Sequence, residues 1–120
     1  MSKEIVVRAF EVVGSGFCVA SGDGQKVHDQ VAEALRANAK VTVSFQNVES
    51  LTSAFLNSAI GQLYGEFPEE KLKANLSVSD MLPDDVVLLK QVVNTAKRYF
   101  NNPERIKAAR KDVLGTDDGR

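Results

Sequence analysis

Residues 41–67, VTVSFQNVESLTSAFLNSAIGQLYGEF, constrain this chain most, because a strand pattern runs directly into a helix pattern with hydroxyl residues at the join. Val41, Val43 and Phe45 alternate with Thr42, Ser44 and Gln46, the period of a half-buried strand. After a turn across Gln46–Ser50, apolar residues return at Phe55, Leu56, Ala59, Ile60, Leu63, Tyr64 and Phe67, which share one side of a helix. That helix is predicted to begin near Thr52 and Ser53 and to stop at Pro68. The start of a helix has free backbone N–H groups and the positive end of a dipole, so it favours a hydroxyl cap or an anion such as phosphate.

The flanking segments extend the pattern. Ile5–Phe10 and Phe17–Ala20 are short apolar runs separated by Gly14-Ser15-Gly16, which predicts an N-terminal hairpin or two short strands. Ser21–Gly24 leads into an amphipathic helix carrying Val27, Val31, Ala34 and Leu35 and ending near Asn38. Leu72, Ala74, Leu76 and Val78 alternate with Lys71, Lys73, Asn75 and Ser77, predicting a strand at a sheet edge because its second face is polar. Pro83 opens a last helix with Val86, Leu89, Val92, Val93, Ala96 and Phe100, and Pro103 breaks it. Strands alternating with helices predict an α/β domain over residues 1–102, with a mixed sheet that is largely parallel after the hairpin. Residues 103–120 are expected to form a short basic helix over 104–111 and a flexible tail.

Composition excludes several classes of function. A chain of 120 residues is about one domain long, and its formal net charge of -1 gives no general attraction to nucleic acid or anionic membrane. Lys97, Arg98, Arg105, Lys107, Arg110 and Lys111 cluster without an aromatic platform, so they are read as a solvated face rather than a nucleic-acid surface. Cys18 is the only cysteine, which excludes an internal disulfide and fits a reducing cytoplasm. No stretch resembles a membrane span or a secretory leader, so a cytoplasmic protein without membrane attachment is expected. One histidine, His28, and one cysteine cannot make a zinc site, so no metal is expected.

His28 is read as a flanking or surface residue of its helix, and Cys18 as a small buried hydrophobe in an apolar strand. Gly14-Ser15-Gly16 and Gly22-Asp23-Gly24 match neither phosphate-binding glycine motif and are read as tight turns. Glu69-Glu70 and Asp84-Asp85 sit at predicted element ends, where they favour the helix dipole. Neither Cys18 nor Ser53 has a base positioned to activate it, so the chain is not expected to be an enzyme.

Ser53, Asn57, Gly61 and Gly65 recur every four residues and give the predicted helix a stripe with little side-chain bulk. An interior helix glycine costs about 1 kcal/mol relative to alanine, so two of them predict a close approach along the stripe. Either another helix of the same chain or a partner protein could supply it.

The strand VTVSF, the turn QNVES and the helix LTSAFLNSAIGQLYGEF resemble the STAS-like family of uncharacterised bacterial domains, which is related in pattern to the STAS anti-sigma-factor antagonists. Phe17–Asn38 agrees more weakly. The resemblance implies a STAS-like sandwich with a four- to five-stranded mixed sheet, three or more helices, no cofactor, and binding rather than catalysis. In the antagonists a serine at the helix start is phosphorylated by a kinase that is also an anti-sigma factor, and Ser53 holds the similar place. Thr52 stands where that motif has aspartate, and Phe55 where it has glycine.

By this resemblance the chain would be a regulatory module in a partner-switching system, docking a histidine-kinase-like ATPase or anti-sigma-type protein through residues 50–57. Ser53 is the candidate phosphorylation site, and Ser50, Thr52, Ser53, Asn57 and Gly61 are the candidate partner-binding residues. The alternative is a constitutive assembly or dimerisation domain, a homo-oligomer built on the Ser53, Asn57, Gly61 and Gly65 stripe without phosphorylation.

Overall fold

The alternating strand at Val41–Phe45 becomes the middle of the molecule. In the computed structural model, which describes residues 3–101, β3 (Lys40–Ser44) lies between β1 (Glu4–Arg8) and β5 (Leu76–Ser79), and both neighbours run parallel to it. The register aligns Ile5, Val41 and Leu76 in one row and Val7, Val43 and Val78 in the next, so one face of the sheet is apolar and joins the core. On the other face Val6, Thr42 and Ser77 are aligned, and the Thr42 and Ser77 hydroxyls lie 3.0 Å apart. Parallel sheets are usually covered on both faces. Here, among the described residues, the second face is polar and Val6 is half exposed.

A second sheet consists of β2 (Phe17–Cys18) and β4 (Ser50–Leu51), again parallel. The helices are α1 (Ala9–Val13), α2 (Ser21–Arg36), α3 (Ser53–Ala59), α4 (Glu69–Asn75) and α5 (Pro83–Phe100), with a 3-10 turn at Gly61–Gly65. The fold is therefore α/β, and β5 is an edge strand as its polar second face implied.

Four expectations are corrected. There is no N-terminal hairpin, because Ala9–Val13 coils into a helical turn closed by Gly14 at φ 85, and β2 then joins a different sheet. A positive φ suits glycine, so the glycine read as a hairpin turn is a helix stop. Neither sheet is mixed, since every pairing among the described residues is parallel. The strand predicted from Leu72 begins only at Leu76, because Pro68 and the acidic pair Glu69-Glu70 start a short helix that buries Leu72. The predicted long helix ends at Ala59 and tightens into the 3-10 turn before Pro68. The expected basic helix and tail over 103–120 lie outside the described residues.

His28 is also not on the surface. It is 7% exposed, and its Nε2 lies 2.9 Å from both carboxylate oxygens of Glu66. Its Nδ1 is 3.0 Å from both Asp29 Oδ1 and Gln25 Nε2. The hydrogen bond to His28, helped by one from Gln25, holds the Asp29 carboxyl below the usual carboxylate range. A neutral ring is satisfied by donating to Glu66 and accepting from Gln25, and a charged ring by donating to both carboxylates. Either way His28 ties α2 to the end of the 3-10 turn.

The most extensive helix pair is α2 with α3. Val27, Val31 and Leu35 of α2 and Phe55 and Leu56 of α3 are fully buried around this contact. Gly24 lets the two helices meet, since a Cβ there would lie 2.5 Å from the Phe55 carbonyl oxygen and 2.9 Å from the Ser58 Cβ. Backbone cannot retreat as a flexible side chain can. Gly24→Ala should therefore destabilise the fold by about 1–3 kcal/mol despite the better helix propensity of alanine. Gly22, in the same helix with nothing within 4 Å of its would-be Cβ, is the control. Gly22→Ala should be neutral or raise stability by up to about 1 kcal/mol, both changes being read from urea unfolding.

Candidate functional site

The start of α3 is fixed by Thr52. Its backbone is extended, its Oγ1 accepts a hydrogen bond from the Phe55 N–H at 3.1 Å, and the same hydroxyl donates to the Val19 carbonyl at 2.7 Å. Its own N–H donates to the Cys18 carbonyl at 3.3 Å. Thr52 thus caps the helix and fastens it to the chain leaving β2. The next residue, Ser53, is exposed, and among the described residues its hydroxyl makes no hydrogen bond. Because Phe55 and Leu56 turn into the core, Ser53, Ala54 and Asn57 are left facing outward.

α5 lies beside that outward face. Ser53, Ala54 and Asn57 from α3 and Leu88, Gln91, Val92 and Thr95 from α5 enclose a groove of about 440 Å³. A second hollow of about 300 Å³ continues it along α5, lined by Asn57, Gln62, Thr95, Ala96, Tyr99 and Phe100. The two share Asn57 and Thr95, so they form one furrow between the helices. Among the described residues, the lining of the first hollow is made of hydroxyls, amides and aliphatic groups, with no acid or base. Such a surface can exchange hydrogen bonds and bury apolar atoms.

The structure separates the residues singled out from sequence. Ser53 and Asn57 line the groove, and Thr52 stands behind them as the cap. Ser50 is away in β4, paired with Phe17 and donating its N–H to the Gly16 carbonyl at 3.2 Å. Gly61 is buried under Asn57 and Val92, where a Cβ would lie 2.6 Å from Asn57 Oδ1 and 3.4 Å from Val92 Cγ1. At Gly65 a Cβ would lie 2.5 Å from the Phe100 ring. The glycine half of the stripe is thus a seam with α5, and only its Ser53 and Asn57 half reaches the groove. Leu88, Gln91 and Thr95 were not foreseen. The glycines carried the signal, since a bare helix face needs a neighbour and the long final helix was available to be one.

Other reactive groups are accounted for elsewhere. Cys18 is fully buried, and burial, with a smaller contribution from Asp23, pushes its thiol up to about 11. Among the described residues, no group of three His, Cys, Asp or Glu side chains is placed to hold a metal ion. Lys97, from the basic cluster, pairs with Glu69 at 3.0 Å, while Arg105, Lys107, Arg110 and Lys111 lie outside the described residues. Among the described residues no helix is long and apolar enough to cross a membrane.

Two measurements check these assignments. Thr52→Ala should cost about 1 kcal/mol of stability, whereas Ser53→Ala should stay within about 0.5 kcal/mol of wild type in the same urea titration. At pH 8 the Cys18 thiol in the folded chain should be alkylated roughly a hundredfold or more slowly than a free thiol, because so little of it is ionised.

A family model described as a STAS-like domain of unknown function (DUF4325) matches residues 23–86, which begin within the first turn of α2, contain β3, β4, α3, α4 and β5 and reach into α5. No curated protein and no solved structure matches the chain.

Proposed function

The chain belongs to this family of STAS-like domains, and from that premise we propose that it is a non-enzymatic regulatory module whose protein partner seats in the furrow between α3 and α5. The observation that carries the reading is the position of Ser53, exposed on the rim of a groove lined, among the described residues, by hydroxyls, amides and aliphatic groups, and not needed as the helix cap. A phosphoryl group there adds about -1.5 to -2 charges and three acceptor oxygens at the edge of the surface a partner would cover. Thr52 keeps the cap in either state, so the charge alters docking while the fold persists. A kinase able to place that group, such as a histidine-kinase-like ATPase acting as an anti-sigma-type protein in the cytoplasm, is the partner class that fits.

Constitutive assembly without phosphorylation uses the same outward residues and is separated by one comparison. Affinity capture from the native cell, with bound protein quantified by mass spectrometry, is run on wild type, Ser53→Asp and Ala54→Lys. Ala54→Lys puts a long charged side chain in the groove and should abolish capture under either reading. Ser53→Asp should reduce retention of the same partner about tenfold or more while leaving the thermal midpoint within about 2 °C. Equal capture by wild type and Ser53→Asp contradicts the switch, and equal capture by Ala54→Lys contradicts the groove.

A further inference from the structure

β1 is a terminal strand of its sheet, and among the described residues no strand pairs with its outer side. The Lys40 N–H donates to the Lys3 carbonyl at 2.7 Å, which fixes the alternation of the β1 backbone. The N–H and C=O groups of Lys3, Ile5 and Val7 face β3, and those of Glu4, Val6 and Arg8 face outward. An open edge invites pairing, and proteins commonly guard it with charge. The charges on this edge are of opposite sign at its two ends, Glu4 and Arg8, with Val6 midway and 50% exposed.

We propose that this edge binds a second copy of the chain, the two β1 strands pairing antiparallel about a two-fold axis at Val6. In that register the outward backbone groups of Glu4, Val6 and Arg8 meet those of Arg8, Val6 and Glu4 of the partner subunit. The same residues share a side-chain face, so each Glu4 stands opposite an Arg8 and the two Val6 side chains touch across the axis. Ile5 stands opposite Val7 on the apolar face. Two three-stranded sheets then become one sheet of six strands, and the edge is closed for both copies.

Competing arrangements lack this match. A one-residue slip sets outward backbone groups against inward ones, and a two-residue slip leaves a Glu4 facing Val6. A parallel pair would set like charges side by side. The opposite edge, β5, is LSVS and has no charge pattern to complement. A five-residue edge contact falls below the ~1,200 Å² buried by stable complexes, so the dimer is reversible and concentration-dependent.

The test is sedimentation velocity on the full chain across a concentration series, with Glu4→Arg, Arg8→Glu, and the double swap carrying both. Wild type should show a monomer–dimer equilibrium. Each single swap should raise its dissociation constant roughly thirty-fold by setting like charges opposite, and the double swap should restore it. An equimolar mixture of the two single variants should associate about as tightly as wild type, since each supplies what the other lacks. Far-UV circular dichroism checks folding of each variant. Amide exchange at Val6 in the wild type gives an independent reading, because pairing should slow it as concentration rises. A wild type monomeric throughout, a dimer insensitive to both single swaps, a mixture that fails to associate, or Val6 exchange independent of concentration would each overturn the proposal.

Discussion

The contact between Gly24 and the Phe55 carbonyl sets the rest of the molecule. With no side chain at Gly24, α2 approaches α3 closely enough to bury Phe55 and Leu56 against Val27 and Val31. Once those two residues face inward, helical geometry leaves Ser53, Ala54 and Asn57 facing outward. Thr52 fixes the same helix at its beginning through Phe55 and Val19, and α5 closes over Gly61 and Gly65 at its far end. A side chain added at Gly24 would meet backbone and push α2 away from α3, whereas at Gly61 and Gly65 it would meet the Asn57 and Phe100 side chains.

Much of this was legible in the residues, for identifiable reasons. Val41, Val43 and Phe45 alternate strictly, and the central strand formed where they predicted it. The hydroxyls after it placed the start of α3 near Thr52 and Ser53, where the helix begins with Thr52 as its cap. Elsewhere two periods competed. Leu72, Ala74, Leu76 and Val78 satisfy a strand pattern, yet Pro68 followed by two glutamates is a helix start, and the chain obeys that signal until Asn75. Ile5–Val13 is apolar without a clear period, so only the conformation of Gly14 reveals that its second half coils. The burial of His28 was hidden for a different reason, because its partner Glu66 is distant in sequence and meets it only after α3 and the 3-10 turn have folded back along α2. The candidate site was half legible. Ser53 and Asn57 could be read from the helix stripe, but Leu88, Gln91 and Thr95 belong to an element whose placement required the tertiary fold.

The polar groups divide into those engaged inside the chain and those that face outward. The Thr52 hydroxyl, the His28 ring and the Ser44 hydroxyl, which donates to Asp80 at 2.9 Å, are engaged inside the chain. Ser53, Asn57, Gln91 and Thr95 line the groove, and among the described residues no acid or base accompanies them in its main hollow. Such a surface can exchange hydrogen bonds and bury apolar atoms, and the chain belongs to a family of STAS-like domains of unknown function. Among the described residues, the sheet has a second aspect, with a polar face and a charged edge at β1, on the side away from its apolar core rows. Docking in the furrow and pairing at β1 would therefore use separate surfaces.

Site-specific photo-crosslinking in the native cell tests the central claim most directly. A photoreactive residue is placed at Thr95, on the α5 wall of the groove, and in a control at the exposed Gln30 of α2. The groove account predicts a discrete crosslinked protein from Thr95 and none of it from Gln30. No crosslink from Thr95, or the same product at equal yield from both positions, would contradict it.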